Sequence, residues 1–256
     1  MERLVRHVAR KRDGGTVKTR GRPFGSVNRN KNRIGDLQVI NISREESERV
    51  VTTLDRQLRD EAGRIKLLPA RAWLMLDPTE LRVWCHHHAA YGIPTLELVA
   101  WLQKRIAGRK ALEIGSGCND LGYHLGIRQT DLGQQGDAAW QNHFSSIPQP
   151  PTRPRADVER ISAAEAVAKY QPDVVIGSWI TQLLKEGDDY GLPLGVDERP
   201  LINAVDTYIH IGHWRVHAKK RVLRLPHAEL RPPGLLSRFV DDQGGNYIAI
   251  WEKGGK

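Results

Sequence analysis

The chain has 256 residues with 39 Lys and Arg against 30 Asp and Glu, a formal charge of +9, and 39% hydrophobic residues. That length suits one α/β domain with an appendage, and no apolar run approaches the length of a membrane span, so no membrane partner is expected. The only cysteines, Cys85 and Cys118, form no CxxC pair, and residues 1–35 show no charged-then-apolar leader; a disulfide framework, a structural zinc site and secretion are not expected, and a reducing, cytoplasmic setting is.

The charge is unevenly placed. Residues 1–35 hold eleven Lys and Arg against Glu2 and Asp13, which leaves 28 basic and 28 acidic residues in 36–256. A basic, apolar-poor arm buries no core of its own and is expected to be extended or disordered. It is suited to phosphate contact with counterion release, making nucleic acid the expected partner. Within it, Arg20-Gly21-Arg22-Pro23 resembles an AT-hook, which implies an extended tripeptide in a narrow A·T-rich minor groove and favours DNA. Glycine leaves the groove floor clear, flanking guanidiniums meet enhanced negative potential, and proline keeps the exit extended. Arg29, Lys31 and Arg33 add cations behind it. The competing reading is a nonspecific basic tail that grips RNA or aids solubility.

Residues 36–68 read as a strand-helix linker or docking segment. Asp36 to Ile42 alternates briefly, and Ser43-Arg44-Glu45-Glu46 has the Ser-x-x-Glu capping pattern. Val50, Val51, Leu54 and Leu58 then recur at helical spacing. The pair resembles the first half of a ribbon-helix-helix DNA-binding unit; a segment that docks on the main domain or mediates dimerisation is the other reading.

From Pro69 to the end, blocks alternate between helix and strand character. Helices are expected at Pro78–Trp84 and at Pro94–Leu102, the latter with proline in its first turn. A strand should end at Glu113, followed by a Gly115/Gly117 loop and a short helix over 119–125. Glycines there open backbone angles closed to other residues, and the helix start offers free N–H groups. The same loop suits a dinucleotide-binding turn or an unliganded strand-to-helix turn. A second strand should end at Asp131, and 132–156 reads as a long loop. Val158–Ile161 is expected as a strand, Ser162–Tyr170 as a helix and Pro172–Trp179 as a strand buried on both faces. Asp197 should begin a helix; Tyr208–Gly212, Lys220–Leu225 and Tyr247–Trp251 complete the strands.

The run Glu113-x-Gly115-x-Gly117 resembles motif I of class I S-adenosylmethionine-dependent methyltransferases, with Asn119 where a third glycine belongs; the layout is also similar to phage-type methyltransferase-like proteins. The resemblance implies a doubly wound, seven-stranded, mostly parallel Rossmann-like sheet across 69–256, its last strand antiparallel. It implies S-adenosylmethionine as cofactor, held by Glu113, Gly115 and Gly117, with Asp131 on the ribose. Ile161, Ser162 and Ala163 would border the adenine, and Ser178 and Trp179, after the fourth strand, would face the methyl group. Gly177-Ser178-Trp179-Ile180 carries neither the Asp/Asn-Pro-Pro-aromatic run of amino-group DNA methyltransferases nor a Pro-Cys nucleophile. His210, near a strand end, is the candidate general base. Adjacent Cys85-His86-His87-His88 point in different directions, so no metal is expected. The expected function is methyl transfer, on nucleic acid or docked to it; the alternative is a non-catalytic DNA- or RNA-binding or regulatory protein on a degenerate methyltransferase fold.

Overall fold

The computed structural model describes residues 42–140, 150–239 and 241–254. The arm residues Arg20, Gly21, Arg22, Pro23, Arg29, Lys31 and Arg33, the alternating stretch 36–41 and residues 141–149 of the long loop lie outside the described residues.

Helix α1 (Arg44–Leu58) starts where Ser43 Oγ accepts the Glu46 N–H at 3.1 Å, and it buries Val50, Val51, Leu54 and Leu58 along one stripe. That stripe packs on α3 (Pro78–His87) and on Trp73 of α2 (Ala70–Leu74), so α1 docks on the body of the chain. A two-residue antiparallel pair, β1 (Gly92–Ile93) with β7 (Leu236–Ser237), closes this helical layer.

The main sheet is mixed α/β and mostly parallel. Its strands are β2 (Ala111–Ile114), β3 (Arg128–Thr130), β4 (Val174–Ser178), β5 (Thr207–His213), β6 (Ala228–Leu230) and β8 (Asn246–Glu252), in the order β3-β2-β4-β5-β8-β6. The pairs β3/β2, β2/β4 and β4/β5 are parallel, and β8 runs antiparallel to both β5 and β6. Period-two alternation splits the side chains between two cores. On one face Val174, Ile176, Ile209 and Ile211 meet α4 (Leu96–Ile106) and α5 (Leu121–Leu125). On the other, Leu112, Ile114, Val175 and Tyr208 meet α6 (Ala163–Tyr170) and α7 (Glu198–Ala204).

Three expected elements differ. The sheet has six strands among the described residues, and Val158–Ile161 supplies a single parallel bridge, Thr130 to Glu159. Val158 turns back onto Arg155 O, and Ser162 already caps α6, so little chain remains to form a ladder. Residues Lys220–Leu225, expected as a strand, form a 3-10 turn at Arg221–Arg224, and the edge strand falls later, at β6. The Lys220 ammonium is drawn inward to Ile180 O at 2.9 Å, and Arg221 N–H donates to Gln182 Oε1 at 2.6 Å, which holds this stretch off the sheet edge. Pro94 stands before its helix rather than in the first turn. Thr95 is the cap, accepting from Leu98 N–H at 3.1 Å and donating to Gly234 O at 2.7 Å. Among the described residues no helix is long and apolar enough to cross a membrane.

Candidate functional site

A cleft of about 510 Å³ opens at the carboxyl ends of β2, β3 and β4. Open α/β sheets present ligands at this edge, because loops there leave free backbone donors. Gly115 and Gly117 form its floor, both with φ +57°. Gly115 is doubly constrained: a Cβ there would stand 2.7 Å from Ile180 Cγ2.

Asp131, half-buried at the end of β3, fastens the floor to the adjoining loop. One carboxylate oxygen accepts from Gly117 N–H at 2.9 Å and the other from Gly133 N–H at 2.7 Å. A carboxylate offers about four acceptor positions, so Asp131 retains capacity for ligand hydroxyls. Ile161, Ser162 and Ala163 line the next wall. The Ser162 hydroxyl is already used by the α6 capping box, donating to Glu165 Oε2 at 2.5 Å.

Ser178 and Trp179 also line the cleft. Asn119 ties the floor to them, its Nδ2 donating to Ser178 Oγ at 3.3 Å. Besides the two glycines, the left-handed residue of this loop is Asp120, φ +53°, and not Asn119 at the third-glycine position. Trp179 is itself left-handed, φ +59°, an outlier for a bulky side chain. Its N–H is held by Ile211 O at 2.8 Å. Its ring stacks on Tyr91 at 5.9 Å and meets His217 edge-on at 5.3 Å.

Two expected site residues lie elsewhere. Glu113 is fully buried and does not line the cleft; its Oε2 accepts from Gly122 N–H at 2.7 Å and Gln129 Nε2 at 3.0 Å, while Oε1 has no partner. It shares the β2 face opposite Leu112 and Ile114, so it fastens α5 and β3 to β2 from beneath. Burial pushes its carboxyl up to about 8, against the lowering pull of those two hydrogen bonds. His210, expected as the base, is fully buried and does not line the cleft. Its Nδ1 lies 3.4 Å from Lys220 Nζ and 3.5 Å from Glu198 Oε1. Burial and then the Lys220 ammonium hold its pKa well below the usual imidazole range. Proton exchange with a ligand needs an exposed atom, and this ring offers none.

Two groups escaped sequence reading. Asp120, 3% exposed, is a hub: its Oδ1 accepts from Arg64 at 3.0 Å and Arg155 at 2.9 Å, and its Oδ2 from Ile65 N–H at 2.9 Å. It joins the chain after α1 to residues 155–157, where Asp157 takes the other end of Arg64 at 2.6 Å. Arg238, 6% exposed, also lines the cleft. Its guanidinium lies 4.8 Å from the Tyr91 ring centre, 5.0 Å from Phe239 and 5.9 Å from Trp179. No local pattern marks either residue; an acid after Asn119 and an arginine between Ser237 and Phe239 read as ordinary surface residues.

Of the Cys85-to-His88 cluster, Cys85 is buried, while His88 bridges Asp55 Oδ1 at 2.7 Å and Arg59 at 2.9 Å. Among the described residues no group of three His, Cys, Asp or Glu side chains is arranged to hold a metal ion. Comparison with family models, with curated proteins and with solved structures gives no match for this chain.

Proposed function

We propose that this protein binds S-adenosylmethionine in the cleft and transfers its methyl group. One observation carries the reading: apart from Glu113, every residue expected from the sequence to touch the cofactor, namely Gly115, Gly117, Asp131, Ile161, Ser162, Ala163, Ser178 and Trp179, borders one cavity. The residues fit the group. Left-handed glycines bring backbone close to a ligand, Asp131 keeps acceptor capacity for a ribose, and Ile161 with Ala163 offers an apolar face for a purine.

The strand order, with an antiparallel β8 inserted between β5 and β6, also suits the Rossmann-like methyltransferase sheet. In this reading Glu159 marks the missing edge strand as a single bridge. When bound, S-adenosylmethionine supplies an electrophilic methyl group on a sulfonium. The chain's part is to hold the ribose at Asp131, exclude water with Trp179 and Ile180, and align the acceptor, a task in which positioning can provide much of the rate.

The test is calorimetric titration of the full chain with S-adenosylmethionine and S-adenosylhomocysteine. Binding in the micromolar range, weakened at least about tenfold by Asp131→Ala, is expected; no binding at high micromolar concentration overturns the reading. A second reading, cofactor binding without turnover, is favoured by the burial of His210 away from the cleft. Radiolabelled methyl transfer to DNA and RNA, run after cofactor binding is established, separates the two. Nucleic-acid contact through the basic arm belongs to the same proposal and rests on sequence. Deleting residues 1–34 should abolish most salt-dependent DNA binding; retained affinity would reject that division of labour.

A further inference from the structure

The geometry points to Arg238 as the docking group for an oxyanion, carboxylate or phosphate, on the molecule that shares the cleft with the cofactor. This assignment of acceptor chemistry rests on the transfer reading above.

Arg238 is 6% exposed yet makes no side-chain hydrogen bond or ion pair with any described residue, and its Nε is a buried donor with no partner. A guanidinium keeps its charge in proteins and carries five N–H donors. Removing one from water without a counter-charge is strongly unfavourable. Nearby carboxylates do not answer it. Asp241 pairs with Arg82 at 3.1 Å, and Asp242 pairs with Arg215 at 2.7 Å and lies 3.8 Å from His213. The groups that perturb Arg238 are Tyr91 and Cys85, and burial keeps both of these protonated.

The ring contacts with Tyr91, Phe239 and Trp179 supply cation–π attraction but use none of the N–H donors. The backbone holds the residue in place: Arg238 N–H donates to Tyr91 O at 3.0 Å, continuing the β1/β7 pairing. The result is a fixed, desolvated cation in a cleft wall, its donors unused and its flanks aromatic. A planar or apolar body bearing an oxyanion complements that wall, with its charge on the guanidinium and its body against Tyr91 and Trp179. The same cation disfavours a positively charged acceptor beside a sulfonium donor.

The experiment uses the full chain, without cofactor, and titrates benzoate, phenyl phosphate, inorganic phosphate and neutral benzamide by calorimetry. Wild type should bind benzoate or phenyl phosphate at least about tenfold more tightly than benzamide. Preference for benzoate assigns a carboxylate acceptor, and preference for phenyl phosphate a phosphate one. Inorganic phosphate binding as well as phenyl phosphate would show that the aromatic body adds nothing, which overturns the flanking-wall part of the assignment. Arg238→Met should erase the preference and Arg238→Lys reduce it, with S-adenosylhomocysteine affinity kept within about twofold.

Because Met removes an uncompensated buried charge, its thermal midpoint should equal or exceed that of wild type. Failure of wild type to prefer either anion over benzamide overturns the proposal, as does an unchanged preference in Arg238→Met. A collapse of the melting transition in both variants also overturns it, since that marks a purely structural cation. Loss of S-adenosylhomocysteine binding with the anion preference intact would reject the cofactor reading alone.

Discussion

Glu113→Gln should reverse its effect on stability as pH rises. In the folded protein the Glu113 carboxyl titrates at about 8 rather than 4.5, because burial outweighs the hydrogen bonds from Gly122 and Gln129. The native state therefore holds this proton more tightly than the unfolded chain. Stability linked to Glu113 is fully present below 4.5, declines as pH rises, and is lost once pH passes about 8. At about 1.4 kcal/mol per pKa unit, the ceiling on that loss is roughly 5 kcal/mol.

Gln keeps an acceptor for the same two donors but places an NH₂ where Oε1 has no partner, a cost of about 1–3 kcal/mol. Near pH 5 the variant should be less stable than wild type by about that amount, and above about pH 8 more stable, so the curves cross. His210 and His217 have depressed values, also from burial, and their contribution runs the opposite way, lost as pH falls. The difference between the two proteins, rather than the wild-type curve, isolates Glu113. Urea unfolding from about pH 5 to 9 measures it. A difference that stays constant across that range would refute the reasoning.

Asp120→Asn should destabilise by about 3 kcal/mol in urea unfolding, because it leaves the partly buried Arg155 without its carboxylate and Arg64 with Asp157 alone. Gly115→Ala should abolish calorimetric S-adenosylhomocysteine binding while circular dichroism retains the fold; the added Cβ meets Ile180 and the φ of +57° is unfavourable for alanine. Lys220→Met should destabilise by about 3–5 kcal/mol, since it strands Glu198, whose Oε2 lies 2.5 Å from Nζ, and adding Glu198→Leu should recover most of that loss. Thermal and urea unfolding of the single and double variants form the cycle that checks it.

Much of the scaffold was legible because local chemistry and tertiary packing agree. Ser43 and Ser162 cap the helices their side chains suggest, and the β-branched run 174–176 lies buried in a central strand. The cavity positions followed from the motif I resemblance laid over the order of strand ends, and Gly115, Asp131, Ile161 and Ser178 border one space. The misread positions share a cause: sequence supplies an element and its period but not which face a polar side chain takes. Glu113 alternates with Leu112 and Ile114 in a strand buried from Leu112 onward, and His210 stands between Ile209 and Ile211 in a strand buried throughout. Alternation in such strands sends a polar residue into the opposite core, a signal that would have removed both from the cleft. Lys220 had no local signal at all, since its burial depends on Glu198, a residue of a different helix.

The cleft is polarised by how its walls are built. The β2 and β3 ends contribute backbone amides fastened by the Asp131 carboxylate, whereas the β1/β7 pair contributes a desolvated guanidinium and aromatic rings. Neither wall neutralises the other through a direct ion pair among the described residues. Trp179 joins them, leaving β4 in a left-handed conformation that stacks its ring on Tyr91. Such a conformation costs on the order of 1–3 kcal/mol, and the Ile211 hydrogen bond and the surrounding rings hold it. The residue after Ser178 therefore closes the space between the Asp131 wall and the Arg238 wall. On the proposed transfer reading, these walls would receive two dissimilar ligands side by side.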